Sequence, residues 1–118
     1  MEITLEVLFK IFFIAICIDF ISGVLAAKKE GRLRSKKCRD GMFESLGECL
    51  VLIIFITINY FIPLLNPYMS TFIIGFIFKE GLSIVENLVR LNVWVPQGIK
   101  NALEVGASNA DKIDKLNN

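Results

Sequence analysis

Two apolar stretches, each about as long as a bilayer is thick, flank a short segment holding seven of the chain's thirteen Lys and Arg residues. The first stretch covers residues 4–27 and the second 43–65. Between them stand Lys28, Lys29, Arg32, Arg34, Lys36, Lys37 and Arg39. A third run, 71–91, is apolar on one side and polar on the other. A helix of roughly 20 residues crosses a hydrocarbon core of about 30 Å, and lipid tolerates only backbone that satisfies its own hydrogen bonds. The expected fold is therefore an all-α membrane protein with three transmembrane helices, the third amphipathic, followed by a short tail helix. Residues 1–118 form one membrane domain, with a basic loop over 28–41 and a mixed-charge tail over 95–118.

Composition agrees. The chain is 54% hydrophobic over 118 residues, above the ~45–50% of soluble domains. It contains no histidine, which removes His-based acid–base catalysis, Ser-His-Asp triads and His-ligated metals together. Cys17, Cys38 and Cys49 share no CxxC spacing, and their odd number leaves one thiol over in any pairing. No Gly-rich phosphate loop or nucleophile–base pair stands out. Neither an enzyme nor a cofactor is expected.

The first stretch resembles a secretory signal only superficially. Its end, Val24-Leu25-Ala26-Ala27, suggests a cleavage site, but the N-terminal region carries Glu2 and Glu6 and the positive charge follows the run. A signal peptide has the opposite polarity, so a retained first helix is expected. Short Lys/Arg-rich loops stay cytoplasmic, which puts the N-terminus outside, the uncharged Asn66–Ser70 turn outside and the tail inside. The basic loop lies beside a membrane span, so anionic lipid head groups are its expected partner, at ~1 kcal/mol per basic residue, and nucleic acid is not.

Polar residues inside the spans need a physical reason, since an ionisable group at mid-bilayer costs ~2.5–3.5 kcal/mol on insertion scales. Ala15, Asp19, Gly23 and Ala27 recur every four residues, with Ser22 and Ala26 on the same side. This is a small-residue stripe suited to close helix packing. Glu44, Glu48 and Asn59 share a face of the second span. On the third, Gly75, Lys79, Ser83, Glu86, Asn87 and Arg90 occupy one arc with Glu80 at its edge. Lys79 and Glu80 point apart and cannot pair with each other. One copy of three helices offers little to satisfy such an arc, so self-association is expected. The alternative placement has only Thr71–Phe78 entering the membrane and the rest lying along its inner surface.

Two blocks of sequence resemble the phage lysis and toxin-secretion holin family. The first is Asp19-Phe20-Ile21-Ser22-Gly23-Val24-Leu25-Ala26-Ala27 with Glu30-Gly31-Arg32-Leu33-Arg34-Ser35. The second is Lys79-Glu80-Gly81-Leu82-Ser83-Ile84-Val85-Glu86-Asn87-Leu88 with Val95-Pro96. The order of the blocks matches that family up to about Leu103. The family's lysine after Gly41 is replaced here by Met42-Phe43-Glu44, so no role of that lysine carries over. The resemblance implies a holin of the bacterial cytoplasmic membrane. It would assemble with itself into a high-order oligomer, release an endolysin or toxin, and have an antiholin as a possible further partner. Its polar arc would line the lumen. Two rival classes are a small proton-coupled transporter built on Asp19 and an accessory subunit of a larger membrane complex.

Overall fold

The computed structural model describes residues 4–106, and every regular element among them is helical. Helix α1 spans Leu5–Lys29, α2 Lys36–Phe61 and α3 Asn66–Arg90. A final helical segment, α4, runs over residues 97–106. The tail residues Asp111, Lys112, Asp114 and Lys115 lie outside the described residues. At 1.5 Å per residue, the three long helices are each about 37–39 Å in length. α1 and α2 are long and apolar enough to cross a membrane. α3 is equally long but carries the polar arc.

Local signals set the boundaries. The Thr4 hydroxyl caps α1 by accepting from the Val7 amide at 3.3 Å. The far end closes in a Schellman motif, with Arg32 N–H on the Ala27 carbonyl and Gly31 N–H on Lys28. Gly31 sits at φ 72°, where a side chain would be strained. α3 closes the same way through Val93 N–H on Leu88 and Asn92 N–H on Val89. There Asn92 takes the left-handed position at φ 66°.

Three expected boundaries shift. The basic loop is shorter than 28–41, because the Ser35 hydroxyl accepts from the Cys38 amide at 3.1 Å and starts α2 at once. Lys36, Lys37, Arg39 and Gly41 are therefore helical. The second connector is not Asn66–Ser70 but Ile62–Leu65. Pro63 ends the ladder, and Pro67 fits the first turn of α3, where no amide donor is needed. The mixed-charge tail, expected to begin at residue 95, becomes helical at residue 97, so Gly98 lies within α4.

α1 and α3 run parallel and form the main contact, with α2 antiparallel against α1. The bundle divides along its length. Away from the basic connector, Leu8, Phe9, Phe12, Ile16, Leu52 and Ile73 make the apolar core. Phe12 stacks on Phe76 at 5.4 Å. Toward the basic connector the interior turns polar: Ser22, Ser45, Glu48, Glu80 and Asn87 are buried there. Outside, Ile14, Ile21, Leu50, Ile53 and Phe72 are each at least half exposed, an apolar surface suited to lipid.

α4 does not stand free as a solvated tail helix. It folds back antiparallel along α3, setting Leu103 against Gly81 and Gly106 against the Phe78 ring. The turn at Asn92 and residues 93–96, which belong to no regular element, redirect the chain to make this contact.

Candidate functional site

The small-residue stripe of α1 is the seat for the polar arc of α3. Ala26 and Ala27 are almost wholly buried. A methyl group at Gly23 would lie 3.5 Å from the Asn87 amide nitrogen. That close approach puts Asn87 among three acceptors. Its Nδ2 reaches the Asp19 carbonyl at 3.3 Å, Asp19 Oδ1 at 3.0 Å and Ser22 Oγ at 3.0 Å. Ser22 in turn donates to the Asp19 carbonyl at 3.1 Å. Asp19 is thus held by a neutral donor from another helix.

One turn further, Arg90 closes the contact. Its Nε lies 2.7 Å from Glu30 Oε1 and its Nη2 3.3 Å from Oε2, a two-pronged pair. Nη1 also donates to Asn87 Oδ1 at 3.2 Å, which orients the carboxamide toward α1. The Arg90 hydrogen bond draws the Glu30 carboxyl below its ordinary range. Desolvation opposes that shift, and the charges of Arg90, Arg32 and Lys37 add to it. Lys29 Nζ reaches the Arg90 carbonyl at 3.5 Å.

Lys79 ties α3 to α2. Its ammonium pairs with Glu44 and lies 3.2 Å from Glu48 Oε1. Glu80, its neighbour in sequence, points away and is 2% exposed. Asp19, Glu48 and Glu80, one carboxyl from each of the three long helices, line the same cleft. Glu48 Oε2 and Glu80 Oε2 are buried without a hydrogen-bond partner among the described residues. The cleft these residues line, between the helices, is about 460 Å³.

The expectation that one copy cannot satisfy the third helix's arc needs correction. Lys79, Asn87 and Arg90 all find partners on α1 and α2 within the chain, because α1 and α3 run parallel and bring polar residues to the same level. Ser83 and Glu86 line the same cleft, and Glu86 is exposed. Gly75 and Ala15 are half-buried and do not line it. Asn59 is not brought together with Glu44 and Glu48. It lies near the far end of α2, half-buried and outside the cleft. Lys28, Lys29, Arg32, Arg34, Lys36, Lys37 and Arg39 are all exposed around the connector. Glu30 is the contributor that sequence pattern alone missed as a site residue. Its place in a Glu-Gly pair ending an apolar helix, opposite a helix ending in Arg, was the available signal.

Comparison with known proteins gives the family. A family model described as the bacteriophage holin family matches residues 3–106. A probable holin of Bacillus phage phi105 is 34% identical over 95 residues, covering 80% of this chain and 70% of that protein. An uncharacterised Listeria innocua protein is 29% identical over 111 residues, 93% of this chain and 79% of its own length. An uncharacterised Bacillus subtilis protein is 32% identical over 102 residues, with coverage of 80% and 73%. No solved structure matches significantly. With the whole of its described length matched, this chain is a membrane protein that belongs to the bacteriophage holin family.

Proposed function

We propose that the chain is a holin of the bacterial cytoplasmic membrane that accumulates as closed protomers and then assembles into lesions. These let an endolysin or a toxin leave the cytoplasm. In this reading α1, α2 and α3 all cross the membrane, with the N-terminus outside and the basic connector inside against anionic lipid head groups. The further partners are other copies of the chain and, in some hosts, an antiholin.

One observation carries the reading: Lys79, Asn87 and Arg90 of α3 are each matched by groups on α1 or α2. A polar helix face hidden inside a protomer is a sheltered state. Its alternative is a packing in which the same face turns to water in an oligomer, and lesion formation is a shift of population between the two. Lys79, Glu80, Ser83, Glu86, Asn87 and Arg90 would then line the lumen while the Ile and Phe surface meets lipid. No bond is made or broken in that step, so the activity needs no catalytic residue.

The test is expression from an inducible promoter in bacteria, following a membrane-potential dye beside release of a large cytoplasmic enzyme. Abrupt enzyme release after a quiet interval is the expected result, and Glu86→Leu should delay or abolish it. Potential loss without protein release, or no change in either signal, would overturn the lesion reading.

A further inference from the structure

The apolar outer surface of the protomer is not equally tall on all sides. Exposed apolar side chains run from Val7 to Leu25 on α1 and from Phe43 to Phe61 on α2, about 27 Å in each case at 1.5 Å per residue. On α3 they run from Tyr68 to Ile74 and resume only at Val89. Between those levels α3 presents no exposed large apolar side chain. Lys79 and Glu86 are exposed there instead, and α4 lies over Phe78 and Gly81.

The depth of α4 sharpens this asymmetry. Arg90 pairs with Glu30 at the level of the basic connector. Gly106 meets Phe78, which stands twelve residues before Arg90 on α3, about 18 Å further along the helix. Half of the hydrocarbon core is about 15 Å, so docked α4 reaches the depth of the bilayer centre. Its outer face mixes Ile99 and Val105 with Asn101 and Glu104, all exposed. An exposed carboxylate in hydrocarbon is costly and rare. The same mixture suits a helix lying among head groups.

Head groups have a route to that depth. One cleft extends from Arg32 and Lys37 at the connector to Glu44 and Lys79. Its wall carries exposed charge of both signs, as at Lys37 and Glu86. That pattern complements the phosphate and the ammonium of a zwitterionic head group.

We propose that the α3–α4 side of the protomer binds phospholipid head groups of the cytoplasmic leaflet, drawn in to the level of Phe78. The bilayer is then thin on this side and of full height against α1 and α2. Thinning costs more in a thicker bilayer, so α4 leaves α3 as acyl chains lengthen. The inference rests on the reading in which α3 crosses the membrane.

The experiment uses the full chain in nanodiscs of phosphatidylcholine with 14-carbon or 22-carbon monounsaturated chains. Trypsin cleavage after Lys100 reports release of α4, with cleavage after Arg34 in the exposed connector as internal standard. Cleavage after Lys100 should be at least about threefold faster in the thicker bilayer, because the cost of mismatch rises with each ångström. Depth is read in the variant Trp94→Phe, Val105→Trp, which keeps a single tryptophan. In the thinner bilayer the indole at position 105 should be quenched by aqueous iodide and not by bromines near the acyl-chain ends. Equal cleavage rates in the two lipids overturn the proposal. So does quenching by the bromines, which would put α4 in hydrocarbon, or shielding from both quenchers, which would mean that a second copy covers this face.

Labelling in spheroplasts separates this result from the three-span reading. Leu64→Cys and Asn101→Cys are each made in a chain whose Cys17, Cys38 and Cys49 are replaced by Ser. An impermeant maleimide added outside should label position 64 alone. Labelling of both positions or of neither would sink the three-span reading and this inference with it. Labelling of position 64 alone, with equal cleavage rates, would sink this inference only.

Discussion

Asn87 meets Asp19 twice, at the backbone carbonyl (3.3 Å) and at Oδ1 (3.0 Å), joining residues 68 apart in sequence on two parallel helices. Asparagine suits this place. Its carboxamide donates to Asp19 and Ser22 while its oxygen accepts from Arg90. A charged donor there would bring its own desolvation cost. The contact holds the polar half of the bundle closed without neutralising the carboxyl.

Replacing Asn87 by Leu removes the shared donor and leaves Asp19 and Ser22 facing an apolar side chain. The expected loss of α1–α3 stability is about 1–3 kcal/mol, toward the low end because membrane hydrogen bonds average ~0.6 kcal/mol each. A less stable closed protomer should trigger earlier. Onset of reporter-enzyme release, compared at equal expression, checks this. An onset unchanged in a variant that inserts normally would show that the contact does not set timing.

The Glu30–Arg90 pair adds a pH dependence. Arg90's hydrogen bond draws the Glu30 carboxyl below its ordinary 4.5. The pair therefore stabilises the fold above pH 4.5 and loses that contribution as pH falls through the lowered value. Thermal unfolding of wild type and Glu30→Gln in nanodiscs should differ by a constant amount from neutral pH to about 5. The two should converge in stronger acid. A gap that closes well above pH 4.5 would contradict the geometry.

Lys79 bridges unequal partners. Glu44 is exposed, whereas the Glu48 side chain is 8% exposed. Lys79→Met should therefore act mainly through Glu48, which is left buried without its cation. Breaking a fully buried pair costs about 3–5 kcal/mol. The half-exposed Lys79 reduces that to roughly 1–3 kcal/mol, since exposed pairs give only ~0–1. Glu44→Gln should cost under ~1 kcal/mol. The double variant Lys79→Met, Glu48→Leu should recover much of the loss, because the charge left without Lys79 is then only that of exposed Glu44. A double-mutant cycle by unfolding in detergent measures the coupling.

Much of this was legible in the sequence. Apolar runs placed α1 and α2, and the four-residue stripe from Ala15 to Ala27 marked the face where α3 packs. The arc from Lys79 to Arg90 identified every α3 side chain that bonds to α1 or α2. The partners were not legible. They depend on α1 and α3 running parallel in one register, which sets Asp19 beside Asn87 and Glu30 beside Arg90 and gives no local signal. Boundaries failed for a nearer reason. Ser35 and Pro67 start helices inside the expected loop 28–41 and the expected turn Asn66–Ser70, since a cap hydroxyl or a proline in the first turn removes the cost of unpaired amides. The return of α4 onto α3 depends on the left-handed turn at Asn92, which a single asparagine does not announce.

That return makes the two glycines at the α3–α4 contact unequal. A methyl group at Gly81 would lie 3.0 Å from the Leu103 Cδ2 atom, the flexible end of a side chain. A methyl group at Gly106 would lie 2.5–2.7 Å from three atoms of the Phe78 ring, which moves only as a whole. Helix propensity favours alanine over glycine by ~0.8–1.0 kcal/mol at either position. At Gly81 that gain exceeds a small side-chain shift, so Gly81→Ala should leave α4 docked. At Gly106 the overlap dominates, because overpacking costs about 1–3 kcal/mol, and Gly106→Ala should lift α4 from Phe78. Trypsin cleavage after Lys100, in the middle of α4, reports the difference. It should be severalfold faster in Gly106→Ala than in wild type and unchanged in Gly81→Ala. Equal rates in all three proteins would mean that α4 is not held on α3 by this contact.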